Sequence, residues 1–104
     1  MKALTAVLLV AGIFGVACGG SDSASSGATT VVSTDTECKP EKTDFPAGKI
    51  TFAVKNEGSK VTEMYIYGHK DKFISEIEDI GPGTSRNLTV DLKAGEYQLA
   101  CPAR

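Results

Sequence analysis

From Thr30 onward, apolar residues recur at a spacing of two in short runs, and no stretch of eleven residues holds a 3.6-residue period. Thr30-Val31-Val32-Ser33 is a brief β-rich run. Ile50-Thr51-Phe52-Ala53-Val54 alternates large and small side chains after the turn Phe45-Pro46-Ala47-Gly48, and Asn56-Glu57-Gly58-Ser59 ends it. Val61 to Tyr67 is β-branched and aromatic throughout and closes at Gly68. Phe73 to Ile80 reads as a strand, although Ile74, Ile77 and Ile80 would also fit a short helix face; Gly81-Pro82-Gly83 cuts it off. Leu88, Val90 and Leu92 alternate with Asn87, Thr89 and Asp91, and after Lys93-Ala94-Gly95 the pattern resumes at Tyr97, Leu99 and Cys101, the clearest pair of strands in the chain. Strands every 8 to 12 residues with polar turns predict an all-β, antiparallel Greek-key sandwich. Tyr97, just after a tight Gly turn at the start of a late strand, is placed for a tyrosine corner or as an ordinary core Tyr; both put it inward.

The first thirty residues follow another logic. Met1 and Lys2 precede an apolar run from Ala3 to Val16, the short basic start and apolar middle of a secretory leader. A membrane span is the competing reading, but the run is shorter than the roughly 20 residues needed to cross the hydrocarbon core. Gly15-Val16-Ala17-Cys18 resembles the bacterial lipobox, with Gly15 where Leu is usual; the alternative is ordinary cleavage with a spare Cys. The expected division is residues 1–17 as signal peptide, 18–29 as lipidated Cys18 and a Gly/Ser/Ala/Thr tether, and 30–104 as the globular domain. A lipid on Cys18 would hold the domain to the membrane, outside the cytoplasm.

Composition narrows the function. Of 104 residues, 41% are hydrophobic, enough for one domain, and only about 75 residues remain for its core. The net charge is −2, and losing Lys2 leaves ten Lys and Arg against thirteen Asp and Glu, so no basic stripe for nucleic acid exists. With one His, His69, the chain cannot assemble a multi-His metal site, and no Ser, His and Asp set is spaced for hydrolysis. The expectation is therefore a protein that is not an enzyme. His69, beside Gly68 and Lys70, reads as a solvated turn residue.

Lipidation of Cys18 would leave two exported thiols, Cys38 and Cys101, which either close a disulfide, share a metal ion or stay unpaired. Cys101 lies on the core face with Tyr97 and Leu99, whereas Cys38 follows the first strand, where Pro40 should end regular pairing. Glu63 interrupts the most apolar strand and shares a face with Tyr65 and Tyr67. Carboxylate and phenolate oxygens suit ferric iron, whereas thiolates suit softer ions. Cys38, Glu63 and Cys101, with Tyr65 as a further donor, form the candidate metal set for iron or copper. Against it stand a Cys38–Cys101 disulfide with a separate Glu63 and Tyr surface, and a Glu63 that is merely solvated.

Thr34 to Arg104 resembles the EfeO-type cupredoxin-like domain of exported bacterial iron-uptake components. The resemblance rests on Cys38 in C-x-P, the x-A-G-K turn into a strand, a K-x-x-E strand start, the I-x-P-G turn and L-x-x-G-E-Y-x-x-x-C. It implies a cupredoxin sandwich without the copper set: Glu63 stands where the first copper His would be and Cys101 at the copper Cys. The second His and the Met have no counterpart, and Tyr65 and Gln98 stand where acidic residues often occur. It also implies service in metal acquisition beside an iron permease or other uptake proteins. The family's helical domain is missing, as in a stand-alone version or a truncated piece. The family would continue past Cys101 into a final strand, so an open sandwich edge is expected there, to be filled by a longer chain or a partner strand.

Overall fold

The computed structural model describes residues 5–11 and 27–102. Among these residues nine strands form in chain order: β1 (Thr5–Ala11), β2 (Ala28–Ser33), β3 (Cys38–Pro40), β4 (Asp44–Pro46), β5 (Gly48–Asn56), β6 (Thr62–Tyr67), β7 (Phe73–Ile80), β8 (Ser85–Leu92) and β9 (Gly95–Ala100). A single 3-10 turn at His69–Asp71 is the only helical element among the described residues. Phe73–Ile80 is a strand, as its neighbours predicted, because its backbone completes a ladder with β6.

The strands make two sheets, ordered β4-β1-β9-β6-β7 and β3-β2-β5-β8. Most pairings are antiparallel, and each sheet also carries one parallel pair, β1 with β4 and β2 with β5. Successive strands change sheet between β1 and β2, β3 and β4, β4 and β5, β5 and β6, β7 and β8, and β8 and β9. The last two strands are therefore no hairpin: β8 pairs with β5, and β9 with β1 and β6. Their alternation arises because each presents one face to the same interior from opposite sides.

That interior holds Val31, Ile50, Phe52 and Val54 from the four-stranded sheet against Leu8, Val10, Met64, Ile66, Ile77, Ile80 and Leu99 from the five-stranded one. Phe45 of β4 packs edge-on against Phe52 with ring centroids 5.7 Å apart. Tyr97 is half-buried against this core, and its hydroxyl donates to the Lys93 carbonyl at 2.8 Å, the tyrosine corner that the turn foretold. Pro40 does not end pairing as expected. Cys38–Pro40 pairs with Val31–Ser33 on the sheet's outer edge, where a missing N–H costs no ladder bond.

Two features were not legible in the local pattern. The edge expected to be open beside β9 is filled: Thr5–Ala11, the centre of the run that reads as an export leader, lies between β9 and β4, with Leu8 and Val10 buried. The strand also starts earlier than Thr30, since Ala28 and Thr29 already pair with Thr51 and Phe52. The remainder of the leader, Cys18 and most of the tether lie outside the described residues.

The loop after β5 is pinned by Asn56, which is 1% exposed. Its amide donates to the carbonyls of Lys60 and Ile80, each at 2.8 Å, and its Oδ1 accepts from the Gly58 N–H at 2.8 Å. Asp35 reaches the same loop, accepting from the Ser59 N–H and hydroxyl at 2.9 and 2.7 Å, and these bonds hold its carboxyl below the usual range. A side chain at Gly58 would meet Asp35 backbone and carboxylate, so the close approach of the two loops requires glycine there.

Candidate functional site

Cys38 and Cys101 are bonded to each other, with Cα atoms 5.5 Å apart and positions 63 apart in sequence. The bond joins the sheets, because β3 opens with Cys38 at the edge of one and Cys101 follows β9 in the other. It is buried, Cys101 completely so. Around it, the Ser33 and Thr62 hydroxyls share a hydrogen bond of 3.2 Å, and Thr62 also donates to the Pro102 carbonyl at 3.3 Å. Ser33 is the register partner of Cys38, so these contacts hold both chain segments that carry the bridge.

Glu63 is next to Thr62 but belongs to the opposite face of β6. Met64 and Ile66 point into the core, whereas Tyr65 and Tyr67 are half-exposed on the outside. Glu63 is not the solvated outward residue that alternation allowed: it is 5% exposed. The reason is a bulge. Thr62 pairs with Ile80 and Met64 with Ile77, so Glu63 alone faces two residues of β7, Glu78 and Asp79. Asp79 adopts φ 58°, the left-handed conformation that lets the extra residue fit. Such a bulge re-aims side chains, which is why strand periodicity could not predict the burial.

The result is an acidic patch with an aromatic border. Tyr65 donates its phenolic proton to Glu63; that bond, then desolvation, then the charges of Glu63, Glu76 and Glu78, push its pKa up to about 12. Glu76, the cross-strand partner of Tyr65, is raised by desolvation and then by Glu78, both through its charge and through a hydrogen bond. Tyr65 and Tyr67 lie 6.2 Å apart, and Tyr67 meets the exposed Phe73 edge-on at 6.3 Å. Glu76 and Glu78 were missed in the sequence, although their alternation with Ile77 placed both on one face opposite Tyr65.

The predicted donors thus separate. The disulfide lies on the inner side of the sandwich and Glu63 with Tyr65 on the outer side, and no group of three or more His, Cys, Asp and Glu side chains able to hold a metal ion occurs among the described residues. The set does not suit blue copper, which needs a free thiolate beside two imidazoles. Oxygen donors are what the outer face offers. His69 lies past the end of β6. It is exposed in the 3-10 turn, beside an open groove of about 550 Å³ that Lys70, Asp71, Val7 and Gln98 also line.

A cupredoxin-like domain family model matches residues 5–104. The chain is 35% identical over 71 residues to the iron uptake system component EfeO of Escherichia coli K12, and equally to that of Shigella flexneri. Each match covers 68% of this chain and 19% of the relative, so the chain spans about a fifth of the length of these curated proteins. The two-sheet sandwich, the tyrosine corner on β9 and the Cys at its end agree with that match, and the chain belongs to the cupredoxin-like domain family.

Proposed function

We propose that this protein is an extracytoplasmic, lipid-anchored module of a metal-uptake system, which receives iron as cargo and catalyses no reaction. The leader ending before Cys18 and the tether that follows support export and anchoring; the membrane is then its first partner, and an iron permease or another uptake protein its second. The likeness to EfeO supports iron as the cargo rather than copper.

The observation that carries the reading is the buried Glu63 carboxylate accepting from Tyr65 within a patch that already holds Glu76 and Glu78. Desolvation and then the charges of Glu78 and Glu63 raise the Glu76 carboxyl, and a hard cation with oxygen ligands would relieve that crowding of negative charge. Glu63 and Tyr65 are the contacting donors in this proposal. The alternative set of Cys38, Glu63 and Cys101 requires the disulfide to be reduced first, because only thiolates ligate.

Equilibrium dialysis of the mature domain against ferric iron and against copper, with and without reductant, tests this. Retention of ferric iron under oxidising conditions, lost in Glu63→Gln and kept in the double variant Cys38→Ser/Cys101→Ser, is expected. Uptake that appears only after reduction and vanishes in the cysteine variant would transfer the site to the thiolates. If neither metal is retained in either state, the second reading stands: an interaction domain stapled by Cys38–Cys101, which the formed disulfide favours.

A further inference from the structure

The same seven residues carry two assignments that exclude each other. As part of the leader, Thr5–Ala11 is lost when the chain is cut before Cys18; as β1, it is an inner strand of the five-stranded sheet. β1 pairs with β9 through six residues, from Thr5 opposite Ala100 to Val10 opposite Gly95. On its other side it pairs with Asp44, Phe45 and Pro46, and the Leu9 N–H donates to the Thr43 carbonyl at 2.7 Å. Leu8 and Val10 are at most 2% exposed.

Removing β1 leaves β4 and β9 about two strand spacings apart, roughly 9.5 Å, too far to pair directly. Neither strand is free to close the gap. β9 is held by its ladder with β6, by the bond from Tyr97 to Lys93, and by the disulfide just beyond its end. β4 is held by Phe45 against Phe52. The gap therefore persists as a slot with an unpaired edge on each side and two vacated apolar positions at its floor. Within residues 18–102 no segment is spare to fill it, since strands β2 to β9 are already placed in the sheets and the tether residues 18–29 contain no large apolar side chain.

We propose that this slot receives a strand from a partner protein, a reading that rests on the leader removal proposed above. The seat defines the guest. It is an extended segment antiparallel to β9 and parallel to β4, with branched apolar residues in the places of Leu8 and Val10. Between them, at the place of Leu9, it carries Lys or Arg. Leu9 is opposite Glu96 on one side and Asp44 on the other, both exposed, so a cation there meets a carboxylate from each neighbouring strand.

The test uses the protein exported from its full gene and three synthetic heptapeptides: Thr5–Ala11 itself, the same with Leu9→Lys, and the Leu9→Lys form with Leu8→Asp and Val10→Asp. The Leu9→Lys peptide should bind most tightly, raise the melting temperature and slow hydrogen exchange of β9 amides by about tenfold or more, while the Asp peptide does nothing. If the leaderless protein is unfolded, restoration of its fold by the first two peptides supports the slot equally well, and failure to restore it refutes it. Peptides that bind without preference overturn the proposal, as do β9 amides already protected in a leaderless monomer, or self-association that protects them. An intact mass that retains the leader refutes the premise of cleavage; a cleaved protein indifferent to every peptide refutes the slot itself.

Discussion

The two sheets of this sandwich differ in where their strands come from. The sheet β3-β2-β5-β8 is drawn from Ala28 to Leu92, all within the region that the sequence marks as globular or its immediate approach. The sheet β4-β1-β9-β6-β7 has at its interior a strand, Thr5–Ala11, whose sequence reads as part of an export leader. One wall of the core is thus self-contained, and the other depends on residues whose sequence assigns them a second task. Apolar strand-forming character is shared by leaders and core strands, so nothing in the local chemistry of Thr5–Ala11 separates the two roles.

Core truncation breaks this comparison most forcefully. Phe52→Ala, in the self-contained sheet, should cost about 3–5 kcal/mol by denaturant unfolding whether or not the leader is present. Leu8→Ala should cost about 2–5 kcal/mol in the chain that keeps its leader and nothing in the mature protein exported from the mutated gene. An equal loss in both forms would mean that the mature protein retains β1.

Next in size is the bond that ties the sheets together. Replacing Cys38 and Cys101 by Ala should lower stability by about 4 kcal/mol, as the chain-entropy model gives for a loop of this length. The loss should be read in an oxidising buffer, where thiol titration of the parent finds neither cysteine free. A smaller effect is expected at the loop after β5. Asn56→Ala leaves two carbonyls and one N–H without their partner, which should cost about 2 kcal/mol by thermal melting.

The smallest effect sharpens the contrast between the outer and inner faces of β6. The Tyr65 phenol holds its proton to about pH 12, above the ordinary value of 10.0. A proton bound more tightly in the folded state stabilises it fully below the unfolded pKa; that contribution is lost as pH rises through the folded one. Absorbance titration should therefore find one tyrosine ionising well after an ordinary phenol, with stability falling over the same window. Glu63→Gln should bring that transition down, because the bond to Glu63 is the largest cause of the shift.

Much of the fold could be read from alternation. Runs such as Ile50 to Val54 and Leu88 to Leu92 announce strands because period-two burial is a property of the strand itself. The turn Lys93-Ala94-Gly95 before Tyr97 announced the corner for the same local reason. The candidate site was legible only in its parts. Glu63 stood out as a carboxylate in an apolar run, but its burial follows from Asp79 opening a bulge on a different strand. Cys38 and Cys101 could be listed as partners of each other or of a metal, and their choice depended on two sheets converging.

The sequence by itself determined the all-β class, the strands β2 and β5 to β9, and the pair of cysteines in the folded domain, since each depends on neighbours within a few residues; β1, β3 and β4 were not read as strands. Tertiary structure alone decided three things: that the cysteines meet, that Glu63 faces Tyr65 on the outside, and that Thr5–Ala11 lies between β4 and β9. These depend on ladders between residues dozens of positions apart, whose register is set by the packing of one shared core.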